Sequence, residues 1–192
     1  MPTLKKIRDT MKKQKIDGAV MAQMDFEANC NDPSNVVALI DKMDELLTKE
    51  QCLSIMEKQG CCKSGQRDKD CNAFALKHAD KTLSEKLALM SSIRYMMTPR
   101  LNDDGTFTIT MAGKATNNSV RTGKTTCSCG TIRKLKQPFS VSSTYCGCCA
   151  GHFLYHYQNA LGVKLKLKEI NSSPLNTNGE KPCSFTFEVI EK

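Results

Sequence analysis

The sequence predicts an α+β fold, an N-terminal helical region followed by a helix packed on an antiparallel sheet. Three observations carry this reading. Capped segments of helical period fill the chain up to Pro99, apolar residues recur at every second position beyond it, and between the alternating segments lies a stretch of helical spacing that stops at Gly162. The boundaries that follow are 1–98 for the helical region and 99–192 for the α+β part. A chain of 192 residues can bury both as one compact unit.

In the first part, Asp32 followed by Pro33 reads as a cap and a first turn. Val36, Ile40, Met43 and Leu47 then repeat at helical spacing. Thr48 with Gln51 makes a capping box for a second helix, with Cys52, Leu53 and Met56 apolar and Gly60 as its stop. Thr82 with Glu85 opens a third along Leu83, Leu87, Met90 and Arg94, which must end before Pro99 because proline cannot continue the backbone ladder.

Beyond Pro99 the period changes. Asn102-Asp103-Asp104-Gly105 is a turn signal, after which Phe107, Ile109 and Met111 alternate with threonines. The segment 113–126, rich in Lys, Thr, Asn and Gly, reads as a loop. Tyr145 to Leu161 is a helix whose inward face is Ala150, Phe153 or Leu154, Tyr157 and Leu161. Val163, Leu165 and Leu167 alternate with Lys164, Lys166 and Lys168, and Phe185, Phe187 and Val189 alternate with Ser184, Thr186 and Glu188. These are two half-buried antiparallel strands separated by the turn region Asn176-Thr177-Asn178-Gly179. Phe107, Ile109, Phe153, Tyr157, Val163, Leu165, Phe185 and Phe187 should converge on one core, part of which is a ligand pocket.

The formal charge is +8, and it is unevenly placed. From Gly105 to Lys168 there is no Asp or Glu, while nine Lys and Arg residues fall there. Such a field favours an anionic partner or keeps the surface soluble. The first twenty residues are basic but lead into no sustained apolar run, so neither a signal peptide nor a membrane partner is expected, and the protein is expected in the cytoplasm. In a reducing compartment eleven cysteines are not a disulfide framework, and the odd count agrees; free thiols, redox thiols or metal ligands remain.

Five of the eleven cysteines lie in 127–149, as Cys127-Ser128-Cys129 and, after sixteen residues, Cys146-Gly147-Cys148-Cys149. Two tight thiol clusters that fold face to face supply a tetrahedral set of thiolates, so Cys127, Cys129, Cys146 and Cys148 are expected to hold one metal, with Cys149 and Cys183 as further candidates. Zinc is the expected cofactor, and an iron–sulfur cluster is the alternative that the spacing does not separate from it. Reduced packing thiols or redox thiols are the competing readings. Cys30 and Cys52 look like inert thiols on helix faces, whereas Cys61 and Cys62, in a glycine-flanked loop beside Lys63, look more reactive. His152 and His156 stand four apart on the helix that carries Cys148, and with Arg121 and Lys124 they are the candidate ligand-binding residues. There is no P-loop, no Gly-x-Ser-x-Gly elbow and no paired carboxylates in the basic half.

The run Tyr145-Cys146-Gly147-Cys148-Cys149-Ala150-Gly151-His152-Phe153, then Leu161-Gly162-Val163, then Glu169, Gly179 and Pro182-Cys183-Ser184-Phe185, resembles the small-molecule-binding domain named after bacteriochlorophyll 4-vinyl reductase. The resemblance covers about residues 140–190, and none of the first hundred. It implies helices and an antiparallel sheet around an apolar ligand pocket. It is also similar to the sensor domains of phenol-responsive regulators, in which zinc is held by Cys, Glu, Cys and Cys. Carried over, those ligands fall on Cys146, Glu169 and Cys183, while the remaining cysteine position is Ser172. This departure points to a relocated thiolate site that uses the additional cysteines.

The function expected from these readings is a small-molecule-binding or sensor-type protein with a zinc-binding structural site, its ligand small and apolar or anionic, with a homodimer as an open alternative. Two other readings are carried. One is a cysteine-dependent hydrolase acting on a small carboxylate, since the chain is also similar to thiazoline-carboxylate hydrolase-like proteins; Cys148 would be nucleophile and His152 base, the catalytic set being otherwise unknown. The other, ranked last, is a nucleic-acid binder using the acid-free stretch with Phe139, Tyr145, Tyr155 and Tyr157 as stacking groups.

Overall fold

The structure, a computed structural model, describes residues 2–24, 33–60, 63–111, 127, 129, 132 and 141–191. It is α+β, as the alternation of periods predicts. Helices α1 (Leu4–Lys13), α2 (Gly18–Ala22), α3 (Pro33–Leu46), α4 (Lys49–Glu57), α5 (Gln66–Lys77) and α6 (Leu83–Leu89) precede the strands β1 (Arg100–Leu101) and β2 (Phe107–Thr110). A 3-10 turn over Ser143–Cys146 then runs into α7 (Gly147–Leu161), followed by β3 (Lys164–Ser172) and β4 (Ser184–Glu191). The sheet is antiparallel with order β1-β2-β4-β3, so the last strand lies between the second and the third.

The capping signals act as their chemistry requires. Gln51 N–H donates to Thr48 Oγ1 at 3.2 Å while Thr48 N–H donates to the Gln51 side chain at 2.9 Å, and Thr82 with Glu85 closes the same reciprocal pair. The expected cap Asp32 lies outside the described residues, but Pro33 does open α3. α6 is shorter than its periodicity suggests. It passes into a 3-10 turn at Met90–Ser92 and Ile93 turns extended. At the end of α7, Gly162 takes φ +71, the left-handed cap that only glycine adopts without strain.

Two apolar clusters hold the molecule together. One packs α7 and the inner face of the sheet: Phe107, Ile109, Phe153, Tyr157, Leu165, Phe185 and Phe187 are all buried together, with Val163 at the margin. Leu53 of α4, Cys71 and Phe74 of α5, and Leu87 join the same cluster, so the packing crosses position 98. The other gathers Ile7, Met11, Leu39, Ile40, Met43, Ile55 and Met56 from α1, α3 and α4, and receives Tyr145 and Cys148 from the second half.

α4 and α7 approach unusually closely. A Cβ on Gly147 would stand 2.6 Å from Met56 Cβ, one on Gly60 would stand 2.5 Å from the Gly151 carbonyl carbon, and one on Gly151 would overlap the Glu57 carbonyl oxygen. Gly60, expected as a helix stop, is therefore required by packing. This contact places the start of α7, with its cysteines, against the end of α4.

β3 does not keep strict alternation. Register shifts between Leu167 and Glu169 and between Ile170 and Ser172 turn Lys168 and Glu169 both outward and bring Ser172 back inside.

Candidate functional site

The start of α7 is fixed from below. Asp44 of α3 accepts hydrogen bonds from the hydroxyls of Ser142 and of Thr144, the latter at 2.7 Å, and so holds the turn from which Cys146 projects. Cys146 Sγ donates to Ser173 Oγ at 3.0 Å, and the same hydroxyl accepts the Leu175 N–H at 3.1 Å. Ser173 is also near enough to Cys183 to oppose the rise that burial causes in its thiol. Ser173 is fully buried at the head of the long β3–β4 connection, which is closed on itself by Gly179 N–H donating to the Pro174 carbonyl at 2.9 Å and by Thr177 Oγ1 donating to the Ser173 carbonyl at 2.7 Å.

Cys127 and Cys129 come to the same place from a different segment. Cys129 N–H donates to Cys127 Sγ at 3.4 Å, and Cys129 Sγ lies 3.5 Å from the buried Tyr145 hydroxyl. Cys146, Cys149 and Cys183 each respond to the charges of Cys127 and Cys129. Cys127, Cys129, Cys146, Cys149 and Cys183 therefore share one neighbourhood, with Cys146 and Cys183 buried and the other three half-buried. Among the described residues, no group of three or more His, Cys, Asp or Glu side chains is placed to hold a metal ion.

Burial favours the protonated form of Cys127, Cys146, Cys149 and Cys183. Burial pushes the Cys183 thiol up to about 12, helped by Cys127 and opposed by the Ser173 hydroxyl. Burial raises Cys146 and Cys149 strongly and Cys127 to a lesser degree, and for Cys149 the neighbouring thiols Cys183 and Cys146 add to the rise. Assembling several such thiols favours the neutral form, because each thiolate would repel the next.

Several sequence expectations need correction here. Cys148 is turned away from the cluster: its thiol donates to the Gln59 carbonyl at 3.3 Å and packs in the α1–α3–α4 core. Cys148 and Cys149 are adjacent on a helix and must point about 100° apart, so only one can face the locus, and Cys149 is the one. Glu169, the ligand implied by the family resemblance, is carried outward by the β3 irregularity and pairs with Lys49 at 3.5 Å. The position of the missing cysteine, Ser172, donates to the Pro182 carbonyl at 2.6 Å, while its neighbour Ser173 meets the thiols.

The proposed nucleophile and base do not meet either. His152 Nε2 is bonded to the Arg67 guanidinium, which leaves that nitrogen as acceptor, while Cys148 faces Gln59. His156 is fully buried, with Nδ1 3.9 Å from the Cys71 thiol, and is a core residue and not part of an open ligand surface. Burial pushes Cys71 up to about 11, so this Cys–His pair is a neutral thiol beside an imidazole. Tyr145 and Tyr157 are buried, the latter donating to the Met97 carbonyl at 2.5 Å, and neither can stack on a nucleic-acid base. Arg121, Lys124, Phe139, Cys30, Cys61 and Cys62 lie outside the described residues.

The apolar residues expected to frame a ligand pocket fill the space between α7 and the sheet with one another; Phe107 lies 5.9 Å from Tyr157 and 5.7 Å from Phe187, ring centre to ring centre. Among the described residues, clefts open at other places. One, about 430 Å³, lies between α4 and β3, with Leu53 and Leu167 in its floor and Lys49, Lys166, Glu57 and Glu169 around it. Another, about 390 Å³, lies over a ladder of polar side chains in which Asn102, Thr108, Thr186 and Asn171 are hydrogen-bonded in series at 2.9 to 3.1 Å.

Comparison of the chain with protein-family models, with curated proteins and with solved structures gives no match. Among the described residues, no helix is long and apolar enough to cross a membrane.

Proposed function

We propose that the chain is a small-molecule-binding or sensor-type protein in which the thiol cluster holds zinc as a structural staple. The observation that supports this reading is that Cys127, Cys129, Cys146, Cys149 and Cys183, from three separate chain segments, lie near enough to act on one another electrostatically. Zinc takes four thiolates at about 2.3 Å; the Cys-x-Cys arm and two cysteines one helical turn apart would be the donors, with Cys183 as a further one, and they would have to draw together on the ion as it binds. A divalent cation would reverse the charge balance that now keeps these thiols neutral, and binding would release their protons. The staple would join the 127–129 segment, the start of α7 and the β3–β4 connection. The cleft between α4 and β3, with its apolar floor and a rim of both signs, is the candidate place for a small ligand.

The test is elemental analysis of the full chain purified without added metal, with Cys149→Ser and Cys148→Ser beside it. About one zinc per chain is expected, lost in Cys149→Ser and kept in Cys148→Ser. Iron with visible colour would replace zinc by a cluster. A metal-free, stably folded protein would leave these residues as packing thiols and overturn the proposal.

A further inference from the structure

The sheet ends on two strands of unequal length. β1 spans two residues and follows Pro99, which has no N–H to donate, so it offers another strand little to pair with. β3 spans nine residues and, among the described residues, pairs with β4 alone, so one long edge is turned away from the sheet. Such an edge is a template for another chain, because its N–H and C=O groups repeat at the spacing of a ladder.

Two side chains stand where the next strand would lie. The Leu165 N–H donates to Gln158 Oε1 at 2.8 Å, and the Leu167 N–H donates to Glu57 Oε2 at 3.2 Å. Residues two apart on a strand direct their backbone groups to the same side, so both bonds lie on the edge away from β4. The acceptors come from different elements, Gln158 from α7 and the buried Glu57 from α4. Lys58 Nζ holds the other carboxylate oxygen of Glu57 at 2.8 Å, which leaves Oε2 to the strand. The flanks are blunted by other means. Register shifts between Lys164 and Leu165 and between Leu167 and Glu169 limit the regular stretch to residues 165–167, and lysines stand at 164, 166 and 168.

We propose that Glu57 and Gln158 form an edge guard, filling the two backbone donors of β3 that would otherwise pair with β3 of a second copy of this chain. A second copy is the matching occupant because the stretch is self-complementary about a twofold axis through Lys166: in an antiparallel pair Leu165 of each copy faces Leu167 of the other, and the two exchange their N–H and C=O groups. The same axis sets the Lys166 side chains of the two copies opposite each other, which opposes the pairing a second time. Any dimer of the native protein therefore forms through another surface. The inference stands apart from the metal reading, since no thiol takes part in it.

The test is sedimentation velocity of the full chain, dilute and concentrated, at two salt concentrations, with amide exchange at Leu165 and Leu167 read by NMR. The double variant Glu57→Ala, Gln158→Ala should reach twice the parent's mass when concentrated, and more completely at high salt, where the repulsion between lysines is screened. Its two amides should exchange about tenfold more slowly in the concentrated than in the dilute sample, because the new ladder protects them. Glu57→Gln, which keeps a side-chain oxygen as acceptor, should stay at the parent's mass. Gln158→Ala alone, at a half-buried position, opens one donor and should slow exchange at Leu165 on concentration; it decides the matter if circular dichroism shows the double variant unfolded. A folded double variant at the parent's mass throughout, association of Glu57→Gln to the same extent, association that leaves both amides exchanging freely, or no slowing in Gln158→Ala would each overturn the proposal.

Discussion

Ser173 stands where the two fixed thiols of the cluster meet the β3–β4 connection. It is fully buried, accepts from Cys146 and from the Leu175 backbone, and lies near Cys183. Removing a shared buried hydroxyl leaves its partners without a replacement, so Ser173→Ala should lower stability by about 1–2 kcal/mol, read from the urea midpoint of the reduced, metal-free protein. An unchanged midpoint would show that the thiols find other partners. Nothing in the spacing of the sequence singles out Ser173: the family pattern points one residue earlier, to Ser172, and only the two shifts in β3 decide which of the adjacent serines faces the thiols. Cys149 was a candidate beside Cys148, but the choice between them depended on how α7 is rotated against α4.

That rotation is set at the scale of the elements. Gly147 and Gly151 lie one turn apart on α7 and form the flat face against which Met56 and Glu57 of α4 rest. Glu57, itself buried, uses its carboxylate to accept the Leu167 N–H at 3.2 Å, so the same end of α4 also holds β3 in place. Gly151→Ala inserts a methyl group against backbone, which cannot swing aside as a side chain would. The expected loss is about 3 kcal/mol, the upper end for overpacking, and thiol reactivity at Cys146 and Cys149 should rise as the helices separate. Gly162→Ala, strained only by its φ of +71, should cost about 1 kcal/mol and leave the thiols protected. Equal effects of the two substitutions on thiol reactivity would argue against the close contact as what orients the cluster.

Across the whole molecule the buried thiols couple stability to pH. Burial pushes Cys71 up to about 11 and, with Asp44 adding to it, Cys52 up to about 12, from an ordinary value of 9.0. Both sit apart from the five-thiol locus. The folded state holds these protons more tightly than the unfolded state, so their contribution is complete below pH 9 and is lost as pH rises toward 11 and 12. At pH 10 the reduced, metal-free protein should be less stable than at pH 8 by about 1 kcal/mol for each thiol. Cys71→Ala should flatten the fall; a curve as steep as that of the parent would remove Cys71 from the account.

The sequence alone set the class of fold, the helices α3, α4, α6 and α7, the one strand with outward lysines, β3, and the apolar core between α7 and the sheet, while it singled out none of α1, α2 and α5. Those features follow from local chemistry: capping boxes satisfy donors within one turn, and period selects which face is buried. It also marked the region in which the thiols gather. Tertiary structure alone decided which thiols meet, because adjacent cysteines on a helix diverge and a strand irregularity of one residue exchanges its faces. It likewise decided that Glu169 turns to Lys49, that His156 is enclosed beside Cys71, and that Arg67 of α5 reaches the ring of Tyr95. None of these pairs has a fixed spacing along the chain, since what joins them is the closeness of α4 to α7, which three glycines permit and only packing reveals.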